Sequence, residues 1–122
     1  MKRALISVYD KKGIVEFAKK LVVNNYEIIS TSGTAKLLSE NGIIIKTIEE
    51  LTQFPEILNG RVKTLHPAVF AGLLADTSNP EHIEQMKKIH LDTIDLLVVN
   101  LYPFDKVTSD PNVTFEKARG NI

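Results

Sequence analysis

Apolar positions along this chain fall into short runs that alternate with longer amphipathic stretches. Ala4 to Val8 is a compact apolar run closed by the polar turn Tyr9-Asp10-Lys11-Lys12-Gly13. Ile14, Phe17, Ala18, Leu21 and Val22 then recur at helical spacing, which predicts an amphipathic helix ended by Asn24-Asn25. Tyr26 to Ile29 reads as a second strand, followed by Ser30-Thr31-Ser32-Gly33-Thr34. Leu37 and Leu38 belong to a short helix that Asn41-Gly42 stops with a left-handed signal. Ile43-Ile44-Ile45 is a third strand candidate, β-branched throughout and without alternation, as in a sheet covered on both faces.

The second half is less regular at first. From Glu49 to Gly60 no period holds, and Pro55 excludes a long element. Ala68 to Leu74 is apolar, but Gly72 and the small alanines leave strand and helix both open. Asn79-Pro80-Glu81 opens a helix with a cap, a proline at the first position and an acid near the positive end. Ile83, Met86 and Ile89 are its inward positions. Ile94 to Leu101 is the strongest strand signal, and Thr114 caps a last helix that Gly120 weakens. Strand-helix alternation of this kind calls for a parallel sheet of four or five strands with right-handed crossovers and helices on both faces. Ala4–Val8, Tyr26–Ile29 and Ile94–Asn100 are expected at its centre.

Composition narrows the function classes. The 122 residues allow one domain, and 43% hydrophobic with 25% charged residues is ordinary globular composition. Fifteen Lys and Arg balance fifteen Asp and Glu, so nothing global favours nucleic acid or an anionic membrane, and any anion site is local. With no cysteine there is no disulfide framework, thiolate zinc site or cysteine nucleophile. Met1-Lys2-Arg3 starts like a signal peptide, but Ala4-Leu5-Ile6 is too short for its apolar segment or for a membrane span. The expectation is a soluble cytoplasmic protein with no membrane and no nucleic-acid partner.

The candidate chemistry lies in the turns after the strands, where α/β proteins bind ligands. Ser30-Thr31-Ser32-Gly33-Thr34 offers hydroxyls and a glycine directly before a helix, whose first N–H groups carry partial positive charge. The same residues also suit a simple helix cap. Lys11 would supply a point charge at the same sheet edge, or else face solvent at a helix start. Arg61 and Lys63 alternate around Val62, and in extended chain both cations share one side, where an anion would relieve their repulsion; otherwise they are exposed loop charges. Thr64 adds a hydroxyl. His66 beside Pro67 could move a proton or bond to backbone. Asn100 and Tyr102 follow the strongest strand and could read the edge of a heterocycle, with the phenol moving a proton or simply being buried. Phe104 reads as core, while His82 and His90 read as surface. No metal ligands stand at recognisable spacing.

Those stretches resemble a known family. Ala4 to Gly13, Ile29 to Ala35, Leu51-Thr52-Gln53-Phe54-Pro55-Glu56, Gly60-Arg61-Val62-Lys63-Thr64-Leu65-His66-Pro67 and Asn100-Leu101-Tyr102-Pro103-Phe104 are similar, in order and spacing, to the inosine monophosphate cyclohydrolase modules of bifunctional purine biosynthesis proteins. The Ser-Gly-Thr turn is shared more widely, with methylglyoxal synthase and a regulatory domain of carbamoyl-phosphate synthetase. The resemblance implies an α/β, three-layer, methylglyoxal-synthase-like fold over residues 1–122. It implies dehydrative closure of formamidoimidazole carboxamide ribonucleotide to inosine monophosphate, with no cofactor and no metal. Ser7, Lys11, Thr31, Ser32, Gly33 and Thr34 would hold the ribose phosphate. Arg61, Lys63, Thr64, Asn100 and Tyr102 would surround the imidazole substituents, Lys63 stabilising the oxyanion and Tyr102 assisting proton movement. A homodimer and fusion to a folate-dependent transformylase are implied as well.

The chain departs from that family at several positions, among them Arg119-Gly120, where the family usually has an acidic helix end. Tyr9 and Lys12 stand where serine and threonine are common, Ser32 where glycine is usual, and Phe70 where a histidine often follows. The family continues past Asn-Ile into Asp-Ile-Gly-Gly, bringing an aspartate and then a second lysine, so the resemblance implies a domain lacking its C-terminal part. The rival reading is a phosphate- or nucleotide-sensing module of the same fold without catalysis. Methylglyoxal synthase itself finds no matching aspartate set.

Overall fold

The computed structural model describes residues 1–121. Among them, β1 (Lys2–Ser7), β2 (Tyr26–Ser30), β3 (Ile45–Thr47) and β4 (Leu96–Val99) form one sheet in the order β3-β2-β1-β4. Every pairing is parallel. The helices between them are α1 (Ile14–Val23), α2 (Ser32–Glu40), α3 (Ile48–Thr52), α4 (Pro67–Leu74) and α5 (Pro80–Lys88), and α6 (Phe104–Thr108) and α7 (Phe115–Arg119) follow β4. This is the α/β architecture that the alternation of runs implies.

Side chains of β1 divide the core in two, because successive residues of a strand point to opposite faces. Ala4, Ile6 and Val8 join Ile14, Ala18 and Leu21 of α1, Leu38 of α2, and Ile28 and Ile43. On the other face Leu5 meets Ile29, Ile48, Val69 of α4 and Ile94. From β1 the chain steps through β2 to β3 in one direction, and β4 then returns to the far side of β1. That reversal puts the crevice of the sheet at the carboxyl ends of β1 and β4.

Several expectations are corrected. The third strand begins at Ile45, because Ile43 turns into the core while Ile44 is 92% exposed. Ile94–Asn100 is not central: β4 is an edge strand among the described residues, and its Leu97 and Val99 are left exposed on the α3/α4 face. Ala68–Leu74, which the sequence leaves open between strand and helix, lies in α4. Gly72 lets α4 sit against the chain entering β4, where a Cβ would come 3.0 Å from the carbonyl oxygen of Asp92 and Ile94 donates its N–H to the Gly72 carbonyl at 2.8 Å. The aperiodic stretch after Thr47 contains α3, built on a local capping box between Thr47 and Glu50. Phe104 starts α6 with 41% exposure and is not core, and Ile89, 61% exposed, faces away from the interior.

The neighbouring residues Ile43 and Ile44 separate packing from composition. Ile43→Ala should cost about 2–4 kcal/mol in urea unfolding, the range for emptying a buried isoleucine site. Ile44→Ala should stay within about 0.5 kcal/mol of the parent chain, as for exposed positions away from special features.

Candidate functional site

Three turns meet at the carboxyl edge of the sheet, each carried there by a strand. The first follows β1, the second joins β2 to α2, and the third follows β4. Parallel register makes the meeting obligatory, since Ile6 pairs with Ser30 and Ser7 with Val99. A cavity of about 200 Å³ opens between them, lined by Ser7, Lys11, Thr31, Ser32, Gly33, Thr34, Lys63, Asn100 and Tyr102 along with Val8 and Tyr9.

The hydroxyls of the second turn bond away from their own helix. Thr31, the residue before α2, makes no side-chain capping bond; its Oγ1 lies 2.6 Å from Ser7 Oγ. Thr34 Oγ1 fastens the turn to the first strand, accepting from the Val8 N–H at 3.2 Å and donating to the Val8 carbonyl at 3.1 Å. Thr31 and Thr34 are both buried. The opening N–H groups of α2 therefore keep their partial positive charge without a side-chain cap. Ser32 takes a φ of +42°, in the left-handed region where glycine is at ease, and donates its hydroxyl to Glu56 Oε2 at 2.7 Å.

Two lysines reach this cavity from different loops. Lys11 folds back so that its ammonium donates to the carbonyls of Val8 at 2.9 Å and Tyr9 at 3.1 Å. A Cβ on Gly33 would sit 3.9 Å from that ammonium, which places the charge beside the start of α2. Lys63 comes from the opposite wall, its Nζ 3.4 Å from Ser32 Oγ and 3.9 Å from Glu56 Oε1. Glu56 is the residue of this site to which sequence reasoning gave no role. It lies in the aperiodic stretch before the basic loop, and no spacing relates it to Ser32.

Arg61 and Thr64 do not line that cavity. They line an adjoining one of about 620 Å³, which shares Lys63 and Tyr102 as a common wall and has Arg119 of α7 on its rim. The loop is not extended as the alternation argument assumed: Leu58, Asn59 and Gly60 all have positive φ, and Val62 pairs back to Ile57. Arg61 is exposed as a result, while Lys63 is half-buried. Gly60, at φ +82°, also makes room for Glu56, whose Oε1 would lie 2.6 Å from a Cβ there.

Asn100 closes the third side. Its Oδ1 accepts from the N–H groups of Tyr9 at 2.7 Å and Asp10 at 3.1 Å, and its Nδ2 donates to the Asp10 carbonyl at 2.8 Å. The amide thus ties the loop after β4 to the loop after β1. Tyr102 packs its ring against Tyr9, centroids 5.2 Å apart and planes inclined by 59°. Its hydroxyl-bearing ring remains 45% exposed, facing both cavities. His66 accepts the Ala68 N–H on Nδ1 at 3.0 Å and caps α4. No group of three or more His, Cys, Asp or Glu residues is placed to hold a metal ion among the described residues, and none of the described helices is long and apolar enough to cross a membrane.

Comparison with known proteins places this geometry among relatives. A family model described as MGS-like domain matches residues 13–122. The chain is 55% identical over 122 residues to the bifunctional purine biosynthesis protein PurH of Staphylococcus haemolyticus (strain JCSC1435), covering all of this chain and 25% of that protein. It is 51% identical over the same length to the PurH of Staphylococcus aureus (strain Newman), again covering 25% of it. The chain thus spans about a quarter of the length of these curated relatives. Among solved structures it superposes on one described as the crystal structure of ForH, with a TM-score of 0.78 and 31% identity over 96% of this chain and 60% of that one.

Two substitutions test how the cavity is held open. Asn100→Ala removes three hydrogen bonds between neighbouring loops and should lower stability by about 1–3 kcal/mol in urea unfolding. Gly60→Ala forces a methyl into a left-handed residue and against Glu56, and should cost about 1 kcal/mol or more.

Proposed function

The chain belongs to the MGS-like domain family, and from that premise we propose that its cavity binds a ribonucleoside monophosphate and performs the cyclohydrolase step of purine biosynthesis. In this reading the substrate is formamidoimidazole carboxamide ribonucleotide and the product inosine monophosphate. The observation that carries it is the pairing of an uncapped helix start with two lysines from separate loops around about 200 Å³. The 55% identity to a bifunctional purine biosynthesis protein supports the choice of substrate.

The phosphate sits at the start of α2, where the N–H groups of Ser32 and Gly33 and the Lys11 ammonium provide donors and charge. Ser7, Thr31 and Thr34 serve it by fixing the turn. The imidazole substituents lie toward Lys63 and Tyr102, with Arg61 and Thr64 at the outer wall and Asn100 holding the loops around the ring. Closure forms one bond, from the carboxamide nitrogen to the formyl carbon, and passes through a tetrahedral carbinolamine that then loses water. Negative charge grows on the former formyl oxygen, and the Lys63 ammonium stabilises it. The Tyr102 hydroxyl relays a proton toward the departing oxygen. Because both reacting groups belong to one molecule, holding them at attack distance supplies much of the acceleration. Chemistry of this kind uses protein side chains alone, with no cofactor. We further place the domain in a cytoplasmic, homodimeric bifunctional protein whose other half is a transformylase.

Calorimetric titration with inosine monophosphate tests the site. The chain should bind it, and Lys63→Ala should weaken binding by about 1–3 kcal/mol, the range for losing a charge-assisted hydrogen bond. In closure assays that follow the purine absorbance, Lys63→Ala should slow the reaction by about 10²–10³-fold, and Tyr102→Phe should also slow it. Binding without turnover would point instead to the sensing module, and absence of nucleotide binding would reject the site.

A further inference from the structure

The two lysines of the cavity differ in one respect that bears on which ligand it accepts. Lys11 is bonded only to backbone carbonyls, and no carboxylate lies within ion-pair distance of it among the described residues. Lys63 has Glu56 beside it, 3.9 Å from Nζ to Oε1, with the two side chains only 23% and 28% exposed. The Glu56 carboxylate is held from three directions. Ser32 donates to its Oε2 at 2.7 Å, Lys63 flanks Oε1, and the bare Cα of Gly60 leaves it the space that a side chain would fill. Ser32 keeps a left-handed backbone at this contact. Glu56 is not among the residues lining the cavity, so it acts on a ligand through Lys63 and Ser32.

We propose that Glu56 is a specificity-determining, positioning residue: by offsetting Lys63 it makes the Lys11 end of the cavity the anion end and reserves the Lys63 end for a neutral polar group. The inference rests on the reading that a ribonucleoside monophosphate occupies the cavity, and it adds which chemical class of heterocycle is accepted. With Lys11 uncompensated and the α2 start beside it, a phosphate finds its best potential there. At the other end the charges of Glu56 and Lys63 largely cancel at a distance, so a second anion gains little from the ammonium and is repelled by the carboxylate. A neutral carboxamide or formyl group still meets the ammonium as a hydrogen-bond donor. Selectivity therefore comes from a built-in repulsion as well as from an attraction. Partial burial of the pair keeps solvent from screening the effect away, as it does for the exposed Arg61 in the adjoining cavity.

A matched pair of ligands reads this directly: aminoimidazole ribonucleotides that differ only in carrying a carboxamide or a carboxylate on the ring. Glu56→Gln is isosteric and can still accept from Ser32. By calorimetry at neutral pH, the parent chain should prefer the carboxamide by about tenfold or more. Glu56→Gln should narrow that preference to about threefold or less through tighter carboxylate binding, and the gain should vanish in Glu56→Gln/Lys63→Ala. An unchanged preference in Glu56→Gln, or a gain that persists without Lys63, would overturn the inference. If neither ribonucleotide binds the parent chain, the nucleotide reading fails, and titration with inorganic phosphate then decides the role of Glu56. Phosphate binding at least about threefold tighter in Glu56→Gln would uphold the charge-setting role, whereas equal affinity would overturn it.

Discussion

Parallel pairing of β1 on both of its edges is the constraint from which the rest of the structure follows. β1 is hydrogen-bonded to β2 on one side and to β4 on the other, with Ala4 opposite both Ile28 and Leu96. All three strands must then end at the same edge, and whatever residues come next in the chain are delivered there together. The same pairing divides the core, since β1 alone contributes Ala4 and Ile6 to one apolar cluster and Leu5 to the other. Few positions in a chain of this size carry so much of both the packing and the site.

At that edge the polar groups serve two different purposes. Ser7, Thr31, Thr34 and Asn100 bond to one another's loops and hold the walls in place. Their bonds leave the start of α2 and the two ammonium groups as the charge-bearing features of the cavity. An arrangement of this kind is pre-organised, because the donors are already in place and need not reorient when a ligand arrives. Ser32 shows the cost: a non-glycine residue at φ +42° is strained, and its bond to Glu56 offsets part of that strain.

The basic loop illustrates how a turn can redistribute chemistry. Three consecutive left-handed residues and the return of Val62 to Ile57 rotate Arg61 outward and Lys63 inward. Lys63 thereby lines both cavities, forming with Tyr102 the wall between them, while Arg61 lines the larger one and not the smaller. Arg61 meets solvent while Lys63 meets a carboxylate, so their charges are felt very differently despite a separation of two residues.

Local pattern alone determined much of this protein. The apolar runs of β1 and β2, the periodicity of α1, the Asn79-Pro80-Glu81 start of α5 and the Thr114 cap of α7 are all encoded within a few residues, where propensity and hydrogen bonding act without help from elsewhere. The turns that end at the sheet edge were also legible, because serine, glycine, lysine and proline clusters advertise themselves. What the tertiary structure decided involves partners distant in sequence. It set α4 against the chain entering β4, where the bare Cα of Gly72 leaves room for Asp92 and Ile94. It put β4 at an edge and left Phe104 half-exposed, since an apolar residue is buried only where something covers it. It engaged Asn100 in binding two loops together, across 90 residues of chain. And it brought Glu56 to Ser32 and Lys63, a contact over 24 residues on one side and a loop reversal on the other, which depends on the positions of whole elements and leaves no periodic trace in the sequence.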